Sequence, residues 1–188
     1  RLARDAGPFV ARLSSKMRAL LHYDTVGARG HDQRRFARDG QRIKMRWEIP
    51  MNPNKALWEK GDFTRIAATM RDSGEVLVRG MGIAKGHKVL DLGCGDGTTA
   101  LPAARLGADV LGVDIARNLV EAGNQRANDH GLDNLKFQEG DACDLRGLPD
   151  QAFDLTITIF GAMFAPKPFE VAKETVRVTR PGRRIIMG

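Results

Sequence analysis

The residues Val89-Leu-Asp-Leu-Gly-Cys-Gly-Asp-Gly-Thr98 decide the fold class of this 188-residue chain. An apolar run typical of a β-strand includes Asp91 and leads into a loop that contains Gly93, Gly95 and Gly97, after which a helical pattern begins. Glycine permits a positive φ and lets a ligand touch the backbone where a Cβ would block it. The stretch therefore predicts a buried strand, a ligand-binding loop and a helix, arranged as in an open α/β sheet.

Strand and helix patterns alternate on both sides of this stretch. The predicted strands are apolar and β-branched, and short loops bearing Gly or Asp separate them from the helices. This pattern predicts an α/β fold, a doubly wound, Rossmann-like parallel sheet with helices on both faces. The predicted strands are Lys88–Leu92, Asp109–Val113, Leu135–Glu139, Phe153–Phe160 and Arg184–Met187, and the predicted helices are 64–78, 98–106, 116–130 and 168–179.

Acidic residues follow two further predicted strands. Asp114 comes directly after Leu111-Gly-Val113, and Asp141 follows Gly140. Because the carboxyl ends of parallel strands meet at one edge of a sheet, we expect both acids to lie near Asp91. A single acid there is often a helix cap or a solvated turn. Three together favour a nucleoside site, in which Asp114 accepts from ribose hydroxyls and Asp141 from an adenine amine.

The glycine spacing separates this site from other nucleotide sites. A dinucleotide-binding loop of the form G-x-G-x-x-G would need glycine at position 98, where Thr98 stands. A G-x-x-x-x-G-K-[ST] phosphate loop is also absent from this stretch of the sequence. The spacing disfavours an NAD-dependent oxidoreductase.

From about residue 85 to residue 188 the sequence resembles the class I S-adenosylmethionine-dependent methyltransferases. The nearest branch is similar to the type 11 group, which includes the ubiquinone/menaquinone-biosynthesis methylases. The segment Trp58–Phe63 is similar to the part that such enzymes fold over the cofactor. The resemblance rests on Val89–Thr98, Val113-Asp114, Gly140-Asp141-Ala142, Leu148-Pro149 with Phe153-Asp154, and Arg180-Pro-Gly182.

The resemblance implies S-adenosylmethionine as cofactor and assigns it a set of residues. The methionine end would lie on Asp91 and on the backbone from Gly93 to Gly97, which includes Cys94 and Gly95. The ribose would lie on Asp114, and the adenine on Ile115, Asp141 and Ala142. The backbone of Phe160 and Gly161 would approach the methionine amino group.

Two departures from the family pattern affect the end of the sheet. Arg183 follows Pro181-Gly182 where the family has a second glycine, so we expect a different turn. The family fold continues through a further helix and an antiparallel strand pair, whereas this sequence ends at Gly188. We therefore expect a fold truncated after its fifth strand, with that strand as a bare edge.

All of the net charge of +7 lies in the first 50 residues, which hold twelve basic and five acidic side chains. We expect residues 1–50 to be a basic, poorly ordered extension and residues 51–188 to be the methyltransferase domain. An amphipathic helix is predicted over residues 8–23, followed by an arginine-rich run over 27–46. A nucleic-acid arm, an anionic-membrane arm, a transit peptide and a plain linker remain as interpretations of the extension.

The implied reaction is methyl transfer to a small or lipophilic acceptor. The motif Asn/Asp-Pro-Pro-Tyr of nucleic-acid amino-methylases is replaced by Phe160-Gly-Ala-Met163, which disfavours nucleic acid. The alternatives are a cofactor-binding fragment without turnover and methylation of RNA or protein. His87 and His130 are candidate bases by residue type alone, so the catalytic residue is unassigned. No metal site and no membrane span are expected, the unpaired Cys94 and Cys143 suggest the cytoplasm, and the oligomeric state is left open.

Overall fold

A parallel sheet forms the centre of the computed structural model, which describes residues 10–11 and 52–188. Its strand order is β1-β6-β5-β2-β3-β4, and the strands from β2 to β6 all pair in parallel. This confirms the predicted α/β sheet. The strands are β1 (Val10–Ala11), β2 (Lys88–Leu92), β3 (Asp109–Asp114), β4 (Leu135–Glu139), β5 (Phe153–Thr158) and β6 (Thr179–Met187).

Helices cover both faces of the sheet, as the alternation of strand and helix patterns in the sequence predicts. On β2, Val89 joins a core cluster with residues of the helices Ala100–Arg105 and Arg117–Asp129, while Leu90 and Leu92 join a second cluster with residues of the helix Pro168–Val178. A strand buried on both faces reads as a continuous apolar run, which is why β2 was recognisable. The helices are α1 (Lys55–Lys60), α2 (Phe63–Arg79), α3 (Ala100–Arg105), α4 (Arg117–Asp129) and α5 (Pro168–Val178), with a 3₁₀ turn at Ala162–Phe164.

The last two strands differ from their predicted bounds. Strand β5 ends at Thr158 rather than at Phe160, because Phe160 has a left-handed φ of 57°. Strand β6 begins at Thr179 rather than at Arg184. Phe153 pairs with Thr179 but Leu155 pairs with Arg184, so the residues between these partners on β6 bulge out of register. The bulge contains the Pro181-Gly-Arg183 departure seen in the sequence.

The expected bare edge of β6 is wrong where β1 pairs with it. Val10 lies opposite Ile186 and Ala11 opposite Ile185, in antiparallel register. The helix predicted over residues 8–23 is therefore wrong at these two positions, because they extend the sheet. The remainder of that predicted helix and the arginine-rich run lie outside the described residues. In the described part of the chain, no helix is long and apolar enough to cross a membrane.

Candidate functional site

A cleft of about 650 Å³ lies at the carboxyl edge of the parallel strands. Small-molecule sites typically occupy some 300–1,000 Å³. Its floor consists of the loops that follow β2, β3, β4 and β5, and residues of α1, α2 and the segment before them also line it. Most predicted site residues line this cleft: Gly93, Cys94, Gly95, Asp114, Ile115, Asp141, Ala142 and Phe160.

Two predicted site residues, Asp91 and Gly97, do not line the cleft. Gly97 has a φ of +93°, and a Cβ there would lie 2.5 Å from Leu101 Cδ1 and 2.6 Å from Phe137 Cζ. Packing against α3 and β4 therefore accounts for this glycine. Asp91 is 1% exposed and lies beneath the loop, where its Oδ2 accepts a hydrogen bond from Thr99 Oγ1. Their roles toward a ligand stay predictions.

The glycine loop touches the loop after β5 backbone to backbone. A Cβ on Gly93, whose φ is +68°, would lie 2.5 Å from Gly161 Cα, and a Cβ on Gly161 would lie 2.7 Å from Gly93 Cα. Gly95, in contrast, has a φ of +55° with nothing within 4 Å of the position that a Cβ would take. Gly93 and Gly161 thus bring two loops together, while Gly95 presents open backbone beside the cleft.

We expect Gly161→Ala to lower the free energy of unfolding by about 1–3 kcal/mol, because inserted volume that meets fixed backbone forces the two loops apart. Urea unfolding measures this change. Gly147→Ala is the control, since a Cβ there meets nothing within 4 Å and is expected to change stability by less than about 0.5 kcal/mol. Equal stability of the two variants would contradict the close approach of the loops.

Asp114 links the glycine loop to the start of α4. Its Oδ2 accepts a hydrogen bond from the backbone N–H of Gly95 at 2.8 Å, and its Oδ1 accepts one from Ala116 N–H at 2.9 Å. Burial raises the pKa of Asp114, and these N–H donors oppose the increase. A carboxylate has about four acceptor positions, so Asp114 keeps acceptor capacity for a ligand in the cleft.

Burial is the main cause of the pKa shifts of two other ionisable groups near the loop, Asp91 and Cys94. It raises the pKa of Asp91 to about 7, with the hydrogen bond from Thr99 opposing the shift and the charge of Asp114 adding to it. Burial likewise raises the pKa of the Cys94 thiol, so this side chain lines the cleft as a neutral group. The carboxyl group of Asp91 thus lies beneath the glycine loop, and the neutral thiol of Cys94 lies at its surface in the cleft.

The segment from Asn52 to Phe63, here called the roof, is tied to the loops after β4 and β5. Asn52 Nδ2 donates to Asp141 Oδ2 at 3.1 Å, and Asn54 Nδ2 donates to the Phe164 carbonyl at 2.8 Å. Lys55 forms an ion pair with Glu139 at the end of β4. The roof lies beside the cleft, which agrees with the resemblance of Trp58–Phe63 to a covering segment.

Aromatic side chains of the roof pack against the loop that follows β5. The ring centroid of Trp58 lies 4.8 Å from that of Phe63 and 5.1 Å from that of Phe164, and all three rings line the cleft. Phe160 also lines the cleft and is 59% exposed. The neighbouring Met163 is exposed and does not line the cleft.

Sequence reasoning missed Asn52, Asn54 and the apolar face of α2. Each asparagine acts across more than 80 residues of sequence, and a lone asparagine in a loop carries no signal of such a partner. The α2 face was visible as helical periodicity but was not assigned to a site. Neither His87 nor His130 lines the cleft; His87 Nδ1 accepts from the backbone N–H of Ala84 at 3.2 Å.

Comparisons with known proteins agree on one family. The family described as "Methyltransferase domain" matches residues 90–187. An uncharacterised protein of Mycobacterium tuberculosis is 40% identical over 135 residues, which are 70% of this chain and 48% of the relative. A demethylmenaquinone methyltransferase of Geobacillus stearothermophilus is 39% identical over 110 residues, 56% of this chain and 46% of that enzyme. The chain spans about half the length of these curated relatives.

The fold is also found among solved structures. A SAM-dependent methyltransferase from Aquifex aeolicus superposes with a TM-score of 0.60 at 21% identity, covering 66% of this chain and 69% of that protein. At this identity the likeness supports the fold alone. The sheet and its helices are thus shared with known methyltransferases.

Proposed function

Because this chain belongs to the class I S-adenosylmethionine-dependent methyltransferases, we propose that it serves methyl transfer to a small or lipophilic acceptor. The observation that carries the acceptor class is the apolar wall of α2. Ile66, Ala67 and Met70 of this helix line the cleft together with Phe63 and Leu77. Apolar walls with a few placed polar groups are typical of sites for small organic molecules.

The residues of the cleft fit the cofactor that the family uses. Gly95 leaves the space of a Cβ open beside the cleft, and the carboxylates of Asp114 and Asp141 follow neighbouring strands of the sheet. We propose that Asp114 holds the ribose hydroxyls, and that Asp141, Ala142 and Ile115 hold the adenine. The methionine end would lie on the backbone from Gly93 to Gly97, near Asp91 and Phe160.

The bound cofactor supplies a methyl group already activated for displacement, so the protein needs mainly to position and to exclude water. Asp114 orients the nucleoside and fixes the loop through Gly95 N–H. Trp58, Phe63 and Phe164 cover one side of the cleft with apolar surface and limit its access to water. A general base is needed only where the acceptor must first lose a proton.

Calorimetric titration with S-adenosylhomocysteine, with NAD as the negative control, tests the cofactor class. We expect S-adenosylhomocysteine to bind and NAD not to bind. In an unfolding experiment, S-adenosylhomocysteine at 100 times its dissociation constant should add about 2.7 kcal/mol to the free energy of unfolding. Binding of NAD alone would contradict the proposal.

Transfer of a labelled methyl group tests the acceptor class. The probes are a demethylmenaquinone, suggested by the name of the relatives, an aromatic compound of smaller size, and bulk RNA. We expect label in the small acceptors and none in RNA. Label in RNA alone would favour the macromolecular alternative, and cofactor binding without label in any probe would favour a binding fragment. A cytoplasmic location stays a prediction.

We further propose that residues 51–188 carry the complete cofactor site, as the domain boundary predicted from charge implies. Deleting residues 1–50 is expected to leave the dissociation constant for S-adenosylhomocysteine within about twofold, because the cleft-lining residues in the described part of the chain all fall between Asn52 and Ala165. The free energy of unfolding should fall by about 1–2 kcal/mol, since β6 loses its short pairing with β1. An affinity loss of tenfold or more would instead place part of the extension in the site.

A further inference from the structure

Asp96 lies within the glycine loop but is buried between two arginines from separate helices. The residue is 1% exposed. Its Oδ2 accepts a hydrogen bond from Arg71 Nη2 of α2 at 2.8 Å, and its Oδ1 lies 3.2 Å from Arg126 Nη1 of α4. A buried carboxylate with two guanidinium partners is costly to assemble, and its removal leaves charges unpaired. Its position in the loop makes it a link between the loop and both helices.

Arg126 also fixes the backbone of the loop. Its Nη1 donates to the main-chain carbonyl of Asp96 at 2.6 Å, while its contact with Oδ1 is an ion pair without a hydrogen bond. One guanidinium therefore binds the peptide of this residue and attracts its carboxylate. The same peptide carries the N–H of Gly97, which donates to the Cys94 carbonyl at 3.0 Å. The orientation of the Asp96–Gly97 peptide is therefore set by α4 and not by the loop alone.

Helix α2 approaches the loop at a second point one turn away from Arg71. A Cβ on Gly74 would lie 2.6 Å from the carbonyl oxygen of Thr98, so the helix touches the backbone that follows the loop. The same helix lines the apolar part of the cleft through Ile66 and Met70. Helix α2 precedes residues 90–187, which the family model matches, so its contacts with the loop join that matched part to a segment outside it.

We propose that Asp96 is a positioning residue, which holds the backbone of the glycine loop in the geometry that receives the methionine end of the cofactor, through Arg71 and Arg126. This inference rests on the cofactor site proposed above. Asp96 acts through the loop, whereas the ribose and adenine depend on Asp114 and Asp141, which follow β3 and β4; Asp114 also accepts from Ala116 N–H and Asp141 from Asn52, and neither of these donors belongs to the loop. Loss of Asp96 should therefore affect one end of the cofactor more than the other.

The test compares two probes on the full chain, S-adenosylhomocysteine and adenosine, in wild type and in Asp96→Asn. We expect the dissociation constant for S-adenosylhomocysteine to rise about tenfold or more, because a loop displaced by a fraction of an ångström no longer meets the methionine end. The dissociation constant for adenosine should stay within about twofold, since that probe lacks the affected end. Titration calorimetry well below the melting temperature measures both.

Asp154→Asn is the matched control, because Asp154 is also buried and also pairs with two arginines. Its Oδ1 lies 2.8 Å from Arg180 Nη1 and 3.2 Å from Arg183 Nε, at the start of β5 and hence at the opposite edge of the sheet. Both variants are expected to melt at a lower temperature than wild type. Only Asp96→Asn should weaken the binding of S-adenosylhomocysteine, which separates a positioning role from a general loss of stability.

If Asp96→Asn does not fold, Arg71→Met takes its place, since the Arg71 side chain is partly exposed and the Arg126 contact remains. Arg71→Met is expected to raise the dissociation constant for S-adenosylhomocysteine by a smaller factor and to leave that for adenosine unchanged. Unchanged affinity for both probes, or equal weakening of both, would overturn the positioning role. A wild-type chain that binds neither probe would overturn the proposed cofactor site itself.

Discussion

Replacing Asp114 with alanine is expected to raise the dissociation constant for S-adenosylhomocysteine about 100-fold or more. Each hydrogen bond to a charged group contributes roughly 1.5–3 kcal/mol, and the proposed ribose contact uses two of them. The variant also removes the acceptor of the Gly95 N–H, so the loop loses one of its anchors. Both consequences weaken the binding of the ligand, so this variant has the largest expected effect on affinity.

Asp109→Ala serves as the control for this experiment, because Asp109 is exposed and lies at the other end of the same strand. Its affinity is expected to equal that of wild type. Asp114→Asn is the second variant, since asparagine keeps the shape and one acceptor oxygen while losing the charge. Circular dichroism confirms that each variant is folded. Near wild-type affinity in a folded Asp114→Ala would remove the ribose role and leave Asp114 as a structural anchor.

The sheet could be predicted from the sequence because its signals are local. Strand β2 is an apolar run with Asp91 one residue before its end, and β3 is an apolar run that ends at Asp114. The glycines from Gly93 to Gly97 mark a turn that few other residues permit. Parallel topology then follows from the alternation of strands and helices, and it places Asp114 and Asp141 at one edge. Periodicity and topology together are enough to find the floor of the cleft.

The roof and the loop anchors could not be predicted in this way, because their partners are distant in sequence. Asn52 meets Asp141 across 89 residues, and Arg71 meets Asp96 across 25. Such pairs depend on how helices pack on the sheet, which residue spacing does not encode. Strand β1 was missed for the same reason, since two residues of a weakly amphipathic run carry no signal that they pair with β6.

Gly97 shows that packing alone can require a glycine to which a motif gives a role toward a ligand. The resemblance assigned it to the cofactor, yet its Cβ would collide with Leu101 and Phe137. A glycine required by packing and a glycine required by a ligand look the same in sequence. Asp91 presents the same ambiguity, because it lies under the loop and does not line the cleft.

The contribution of Asp91 to the free energy of unfolding is expected to fall as the pH rises from about 4 to about 7. Burial raises the pKa of Asp91 from 3.8 to about 7, so the folded state keeps a proton that the unfolded state has already released over this range. A folded state that binds more protons is favoured at low pH. The contribution of Asp91 is therefore fully present below about pH 4 and is lost by the time the pH has passed 7.

One retained proton changes the free energy of unfolding by at most about 1.4 kcal/mol for each pH unit, so the total loss is on the order of 4 kcal/mol. Groups whose pKa values are lowered, such as Asp154, act in the opposite direction. The slope that belongs to Asp91 is therefore measured as the difference between wild type and Asp91→Asn in urea unfolding from pH 4 to pH 8.

The asparagine variant is expected to lose this component of the slope and to gain stability relative to wild type with each step above about pH 4. Thr99→Val refines the test. Because the hydrogen bond from Thr99 lowers the pKa of Asp91, its removal should extend the sloping range to higher pH. Parallel curves for wild type and Asp91→Asn would show that Asp91 is already ionised in the folded protein. A buried negative charge would then lie beneath the glycine loop before any ligand binds, stabilised by the hydrogen bond from Thr99.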